Sequence, residues 1–266
     1  LRAGLSVDPY KVGLTFRFVV VAVLAAFVAT PALAANGALP TQDWAGYTLT
    51  SPNPASPISF THVTGTWKVP AVACGETSST SASTILVGLG GFTTPLLEVI
   101  GTSTECGATG PGSYYGWYQV DWGQEMSFSM RIEPGDTMTA SVSVSTKNLV
   151  TMTLQNVTRH TSAIVRRVAG AVDLSSADWI TGSLGCSDGS CGFAPLADFG
   201  SLEMSKVQAT AAGGQTGTLT TAGWSVNPLQ ISTSAGGSAG TCGPTDVATD
   251  GASFDVPWTA NATSGC

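Results

Sequence analysis

The residue types on which most enzyme chemistry relies are scarce in this sequence. It holds two histidines, His62 and His160, so a Ser-His-Asp triad would have to be built on one of them. There is no C-x-x-C pair, and those two histidines are the only nitrogen ligands that could join the six cysteines; a zinc site is not expected. No Walker loop is present, and no G-x-G-x-x-G stands between a strand and a helix, so no nucleotide cofactor is indicated. The segment Gly236-Gly237-Ser238-Ala239-Gly240 fits G-x-S-x-G, but it sits in a Gly/Ser stretch with no strand before it and no helix after it. Charge is also scarce, at 10% of residues. After Ala34, seven basic side chains face sixteen acidic ones, a net charge of −9. A surface of that sign repels phosphate backbones and anionic headgroups, which excludes nucleic acid and membrane surfaces as partners. No metal and no cofactor is called for.

Long apolar runs are missing after the first thirty-odd residues. Before that point Lys11 and Arg17 give a positive flank, Phe18 to Val28 is unbroken apolar sequence, and Ala32-Leu33-Ala34 offers a small-residue cleavage point. Residues 1–34 therefore read as a secretory signal peptide. The apolar stretch is shorter than the roughly 20 residues a spanning helix needs. An exported chain with an even cysteine count favours disulfides. The expected pairs are Cys74 with Cys106, Cys186 with Cys191, and Cys242 with Cys266. The protein is expected outside the cell and as a monomer.

Helical periodicity is nearly absent. Short runs instead alternate apolar residues with Ser or Thr between Gly, Pro, Asn or Asp, as in Thr137 to Val144 and Leu149 to Leu154. Further strands are predicted at 58–63, 65–69, 85–89, 114–122, 126–132, 162–168 and 202–209, and Leu96 to Thr102 reads as a strand running into a glycine. Many short strands with one polar face each predict an all-β, two-sheet antiparallel β-sandwich of jelly-roll, concanavalin-like type. The sandwich is assigned to residues 35–210. Residues 211–266, rich in Gly, Ser and Thr, are assigned to a C-terminal extension packed on or beside it. Asn156-Val157-Thr158 and Asn261-Ala262-Thr263 match the glycosylation sequon.

Aromatics gather in Tyr114-Tyr115-Gly116-Trp117-Tyr118-Gln119-Val120-Asp121-Trp122. On a strand, Tyr115, Trp117 and Gln119 share one face, while Tyr114, Gly116, Tyr118 and Val120 share the other. Exposed rings on a sheet face suit extended peptides or sugars, whereas covered rings are core.

With these pieces in order, the chain resembles the glutamic peptidases, or eqolisins, which are secreted acid endopeptidases built as β-sandwiches. The resemblance runs through Asp43-Trp44-Ala45-Gly46-Tyr47, Phe60 to Pro70, Val87 to Gly91 and Tyr115 to Gln119. It continues through Pro134-Gly135-Asp136, Leu154 to Thr158, Ala177-Asp178-Trp179-Ile180 and Phe193 to Gly200. It implies a polypeptide substrate and a Glu–Gln pair on facing strands. The glutamate serves as general base and then acid, and the glutamine amide stabilises the oxyanion. The resemblance places Asp178 at the glutamate position and Val99 at the glutamine position. Trp44, Trp117 and Tyr118 keep the aromatic wall of a substrate cleft, and Gln119 stands where the family has a second glutamate.

Three functional expectations follow. In the first, a one-residue bulge turns Glu98 toward the cleft, and Asp178 with Glu98 forms a catalytic carboxyl pair. In the second, Val99 faces the cleft and the protein is a catalytically silent binder of peptide or carbohydrate. In the third, the likeness is one of architecture alone and the sandwich is lectin-like.

Overall fold

The alternation of apolar and hydroxyl side chains becomes two stacked sheets. The computed structural model describes residues 38–74, 81–107, 109–121, 123–183, 194–231 and 243–258. The first sheet runs β1 (Leu39–Thr41), β14 (Ser225–Ile231), β2 (Trp44–Thr50), β11 (Ser176–Gly182), β4 (Ser81–Gly90), β5 (Leu97–Cys106), β6 (Ser113–Val120) and β7 (Met126–Phe128). The second runs β10 (Thr161–Val168), β9 (Leu149–Asn156), β8 (Thr137–Val144), β3 (Phe60–Lys68), β12 (Ser201–Ala211) and β13 (Thr216–Gly217), with β15 (Phe254–Pro257) also on β12. Among these pairings only β1 with β14 is parallel. The chain is thus an all-β antiparallel sandwich, as the alternation predicts.

Side-chain parity builds the core. Met138, Ala140, Val142 and Val144 of β8 point inward, and the intervening Thr and Ser residues take the other face. Each fully buried Leu, Val or Met contributes about 1.5–3 kcal/mol relative to exposure. Two tryptophans clasp the layers. Trp179 of β11 donates through Nε1 to the Thr64 carbonyl of β3 at 2.8 Å. Trp67 of β3 donates back through Nε1 to Thr102 Oγ1 of β5 at 3.1 Å. Gly65 seats the Trp179 ring: a β-carbon there would lie 2.9 Å from Trp179 Cδ1. The two strands expected at 58–63 and 65–69 are therefore one, because this glycine makes room for an indole and does not break the ladder.

The C-terminal part differs from the expectation. β14 lies inside the first sheet between β1 and β2, β13 and β15 pair with β12, and β12 itself crosses residue 210. The segment after 211 supplies strands to both sheets. Its Thr- and Ser-rich alternation, broken by Pro228, hides strands that acquire their apolar contacts only from neighbours.

The Cys74–Cys106 disulfide forms as expected. Cys186, Cys191, Cys242 and Cys266 fall outside the described residues, as do Gly236 to Gly240, Asn261 and the segment read as a signal peptide. Asn156 is fully buried, and its amide donates to Asp136 Oδ2 at 2.8 Å. That side chain is structural and has no room for a glycan.

Candidate functional site

Register brings six residues into one row across the first sheet: Asn227, Thr48, Asp178, Gly88, Val99 and Gln119, each directly opposite the next. Residues opposite one another in antiparallel ladders share a face. This face is the one turned away from the second sheet. Val99 packs there with Leu86, Leu97, Trp117 and Ile180, whereas Leu89, Ile100 and Trp179 pack into the space between the sheets.

The β4–β5 and β5–β6 registers run from Leu97 to Cys106 and from Glu98 to Glu105 without a shift. No bulge turns Glu98, and this corrects the expectation that it reaches Asp178. Glu98 points into the sandwich between Leu89 and Val120, fully buried, and among the described residues neither carboxyl oxygen completes a hydrogen bond. Burial pushes its pKa up to about 8, and Asp173 and Asp121 add repulsion; the backbone amides of the same two residues pull weakly the other way.

Asp178 lies on the opposite face, nearly fully buried. Thr48 donates to its Oδ1, and Ser176 donates to its Oδ2 at 3.0 Å. Burial pushes its pKa up to about 8, opposed by those two hydroxyls, with Asp173 adding to the rise. Asp178 is therefore a carboxylic acid through the acidic range, able to donate a proton. Its neighbour across Gly88 is an aliphatic side chain. Val99 leans so far over Gly88 that a β-carbon on the glycine would lie 2.4 Å from Val99 Cγ1.

Of the residues expected to bind substrate, Trp44, Trp117 and Gln119 lie on this face. The Trp117 Nε1 and Gln119 Oε1 atoms are buried without a hydrogen-bond partner among the described residues. Tyr118 does not belong with them. Strand parity turns it into the inter-sheet core, where its ring lies 5.4 Å from that of Phe128.

Sequence reasoning passed over Thr48 and Ser176. Ser176 was within reach, because residues two apart on a strand share a face. Thr48 is placed by the β2–β11 register alone. Glu105, Tyr115 and Glu125 were also missed as a group.

Comparison with known proteins agrees with this architecture. A family described as "Peptidase A4 family" matches residues 42–247. The chain is 26% identical over 198 residues to Aspergillopepsin-2 of Aspergillus niger, an alignment spanning 66% of each protein. A scytalido-glutamic peptidase solved with a transition state analog inhibitor superposes with a TM-score of 0.64 at 22% identity, covering 82% of this chain and 98% of that one. The aspergilloglutamic peptidase of Aspergillus niger gives a TM-score of 0.56 at 25% identity, covering 67% and 99%.

Proposed function

The chain belongs to the Peptidase A4 family, the glutamic peptidases, and we propose that it is an exported polypeptide-binding member in which the machinery of peptide-bond hydrolysis has been dismantled. The observation that carries this reading is Val99. It occupies the position where family resemblance calls for glutamine, on the same face as Asp178 and directly across Gly88 from it. A valine offers no hydrogen bond to a water or an oxyanion. Loss of one such donor costs on the order of 10²–10³ in rate. Asp178, at the glutamate position, is shorter by one carbon–carbon bond, about 1.5 Å. A displacement of about 1 Å can itself cost about 10²-fold. Glu98, turned to the other face, compensates for neither.

Polypeptide as the ligand is supported by family membership and by the orphaned polar atoms of Trp117 and Gln119 on the sheet face that carries Asp178. Action outside the cell is supported by the leader-like segment and by a disulfide that suits an oxidising compartment.

One observation favours a second reading, residual acid proteolysis: Asp178 holds its proton through the acidic range and could protonate a leaving amine. The two readings separate when a denatured protein is incubated at about pH 3 with wild type, Asp178→Asn, and a Val99→Gln/Asp178→Glu double variant. Retention of polypeptide without cleavage by wild type, and cleavage by the double variant, is the expected result. Cleavage by wild type that disappears in Asp178→Asn establishes the second reading instead. Binding of polysaccharide with no binding of polypeptide points to a lectin-like protein.

A further inference from the structure

The outer face of the first sheet carries a second acidic group, away from Asp178. In the β5–β6 ladder Ser103 pairs with Tyr115 and Glu105 with Ser113, so Glu105 and Tyr115 are diagonal neighbours. The Tyr115 hydroxyl donates to Glu105 Oε1 at 2.7 Å. Glu125 stands just before β7. Tyr118 pairs with Met126, so continuing that register by one residue sets Glu125 beside Gln119.

Two acceptors are orphaned here. Glu125 Oε2 and Gln119 Oε1 are both shut off from solvent with no hydrogen-bond partner among the described residues, and Gln119 as a whole is 4% exposed. A buried polar group without a partner costs about 1–3 kcal/mol. Among the described residues no salt bridge engages Glu105 or Glu125. Burial raises the Glu125 pKa to about 8, with Glu105 adding to the rise. Burial also raises Glu105, and the hydrogen bond from Tyr115 pulls it back. Glu105, Tyr115 and Glu125 are half-buried, while Trp117 and Gln119 are buried. Unpartnered buried acceptors beside two carboxyl groups call for a ligand rich in N–H donors. Among the described residues no cluster of carboxylates, histidines or cysteines is arranged to hold a metal ion, so the donor set fits an organic cation.

We propose that this corner of the outer sheet face is a subsite for a basic side chain of a bound polypeptide, the ammonium of Lys or the guanidinium of Arg, held between Glu105 and Glu125 with Gln119 accepting a further N–H. The assignment rests on the polypeptide-binding reading and gives it a side-chain preference. Charge-assisted bonds to carboxylates are the strong ones, and an Arg fork can engage two acceptors at once. A bound cation favours ionised carboxyls, so binding releases protons and strengthens as pH rises toward 8. Tyr115 is the other titratable group facing the pair, and it stays protonated because burial, then Glu125 and Glu105, raise its pKa.

The test is calorimetry with two blocked pentapeptides of alanine that differ at the central residue, one lysine and one norleucine. Wild type is expected to bind the lysine peptide at least tenfold more tightly at pH 7.5, with the preference shrinking toward pH 4. Glu125→Gln and, separately, Glu105→Gln are expected to bring the lysine peptide down to the norleucine affinity. Equal affinities for the two peptides in wild type overturn this assignment and leave polypeptide binding standing. A preference that survives in both folded variants overturns it too. Binding of neither peptide overturns this assignment and the polypeptide-binding reading together. The wild-type comparison and its pH course decide the matter even if a variant fails to fold.

Discussion

Val99 covers Gly88: its Cγ1 atom occupies the place from which a β-carbon on the glycine would be separated by 2.4 Å, and the Glu98 carbonyl oxygen would lie 3.1 Å from the same point. The two residues are therefore coupled. Gly88→Ala is expected to lose about 1–3 kcal/mol, the usual cost of overpacking. Adding Val99→Ala should recover at least half of that loss. Urea unfolding of both single variants and the double variant measures the coupling, and simple additivity would show that the glycine is not kept small by the valine.

The hydroxyl of Thr48 is one of two donors, with Ser176, that make burial of Asp178 tolerable. Thr48→Val is expected to cost about 1–3 kcal/mol by leaving a buried acceptor short of a partner. It should also push the Asp178 pKa higher still, since the donor it removes lowers that pKa. Thr48→Ser should restore both properties. Carboxyl-carbon NMR titration of Asp178 in the three proteins, beside urea unfolding, distinguishes this from a simple packing defect.

Stability should peak near pH 4. Asp43, Glu98, Glu125 and Asp178 all have pKa values raised to about 8, chiefly by burial. In each case the folded state binds the proton more tightly than the unfolded chain. Their contribution is complete below the unfolded carboxyl values near 4 and is lost progressively as pH rises to about 8. Asp136 runs the other way. Burial raises its pKa, but hydrogen bonds from Arg159 and Asn156 outweigh that and hold it below the usual range, so its contribution disappears as pH falls below about 4. Melting temperatures at pH 2.5, 4, 6 and 8 test the maximum.

Glu98 isolates one of these groups. Its neighbours across the ladders are Leu89 and Val120, and among the described residues its oxygens complete no hydrogen bond. Glu98→Leu is expected to stabilise the fold at pH 8 by about 1–3 kcal/mol, with a smaller gain at pH 4. A variant less stable than wild type at pH 8 would show that Glu98 is satisfied by a partner in solution.

Reduction of Cys74–Cys106, which are 32 residues apart, should cost about 3–4 kcal/mol through the loop entropy returned to the unfolded chain. Unfolding of a Cys74→Ser/Cys106→Ser variant gives the figure directly.

What the sequence made legible follows from parity. Alternation in Thr137 to Val144 and Leu149 to Leu154 marks two neighbouring strands of the second sheet, and the same rule sets Trp117 and Gln119 on one face and Tyr118 on the other. The expectation that grouped Tyr118 with Trp117 followed family resemblance and set parity aside, and parity decides the outcome. Which of Glu98 and Val99 shares a face with Asp178 depends on a register between β4, β5 and β11 that no local pattern contains. Thr48 and Gln119 lie in the same row as Asp178 only because β2 and β6 pair where they do. β14 was hidden for a related reason: a strand carrying Asn227 and Pro228 looks like a loop until β1 and β2 flank it.

Because each sheet sends an indole N–H into the other, at Trp179 to Thr64 and at Trp67 to Thr102, the layers cannot slide past one another without breaking both bonds. The floor that carries Asp178, Val99 and Gln119 is thereby a fixed plate. If the proposed polypeptide binding holds, accommodation of differently shaped guests has to come from the loops around its border, so variation in what is captured should track changes in those borders and leave the plate itself untouched.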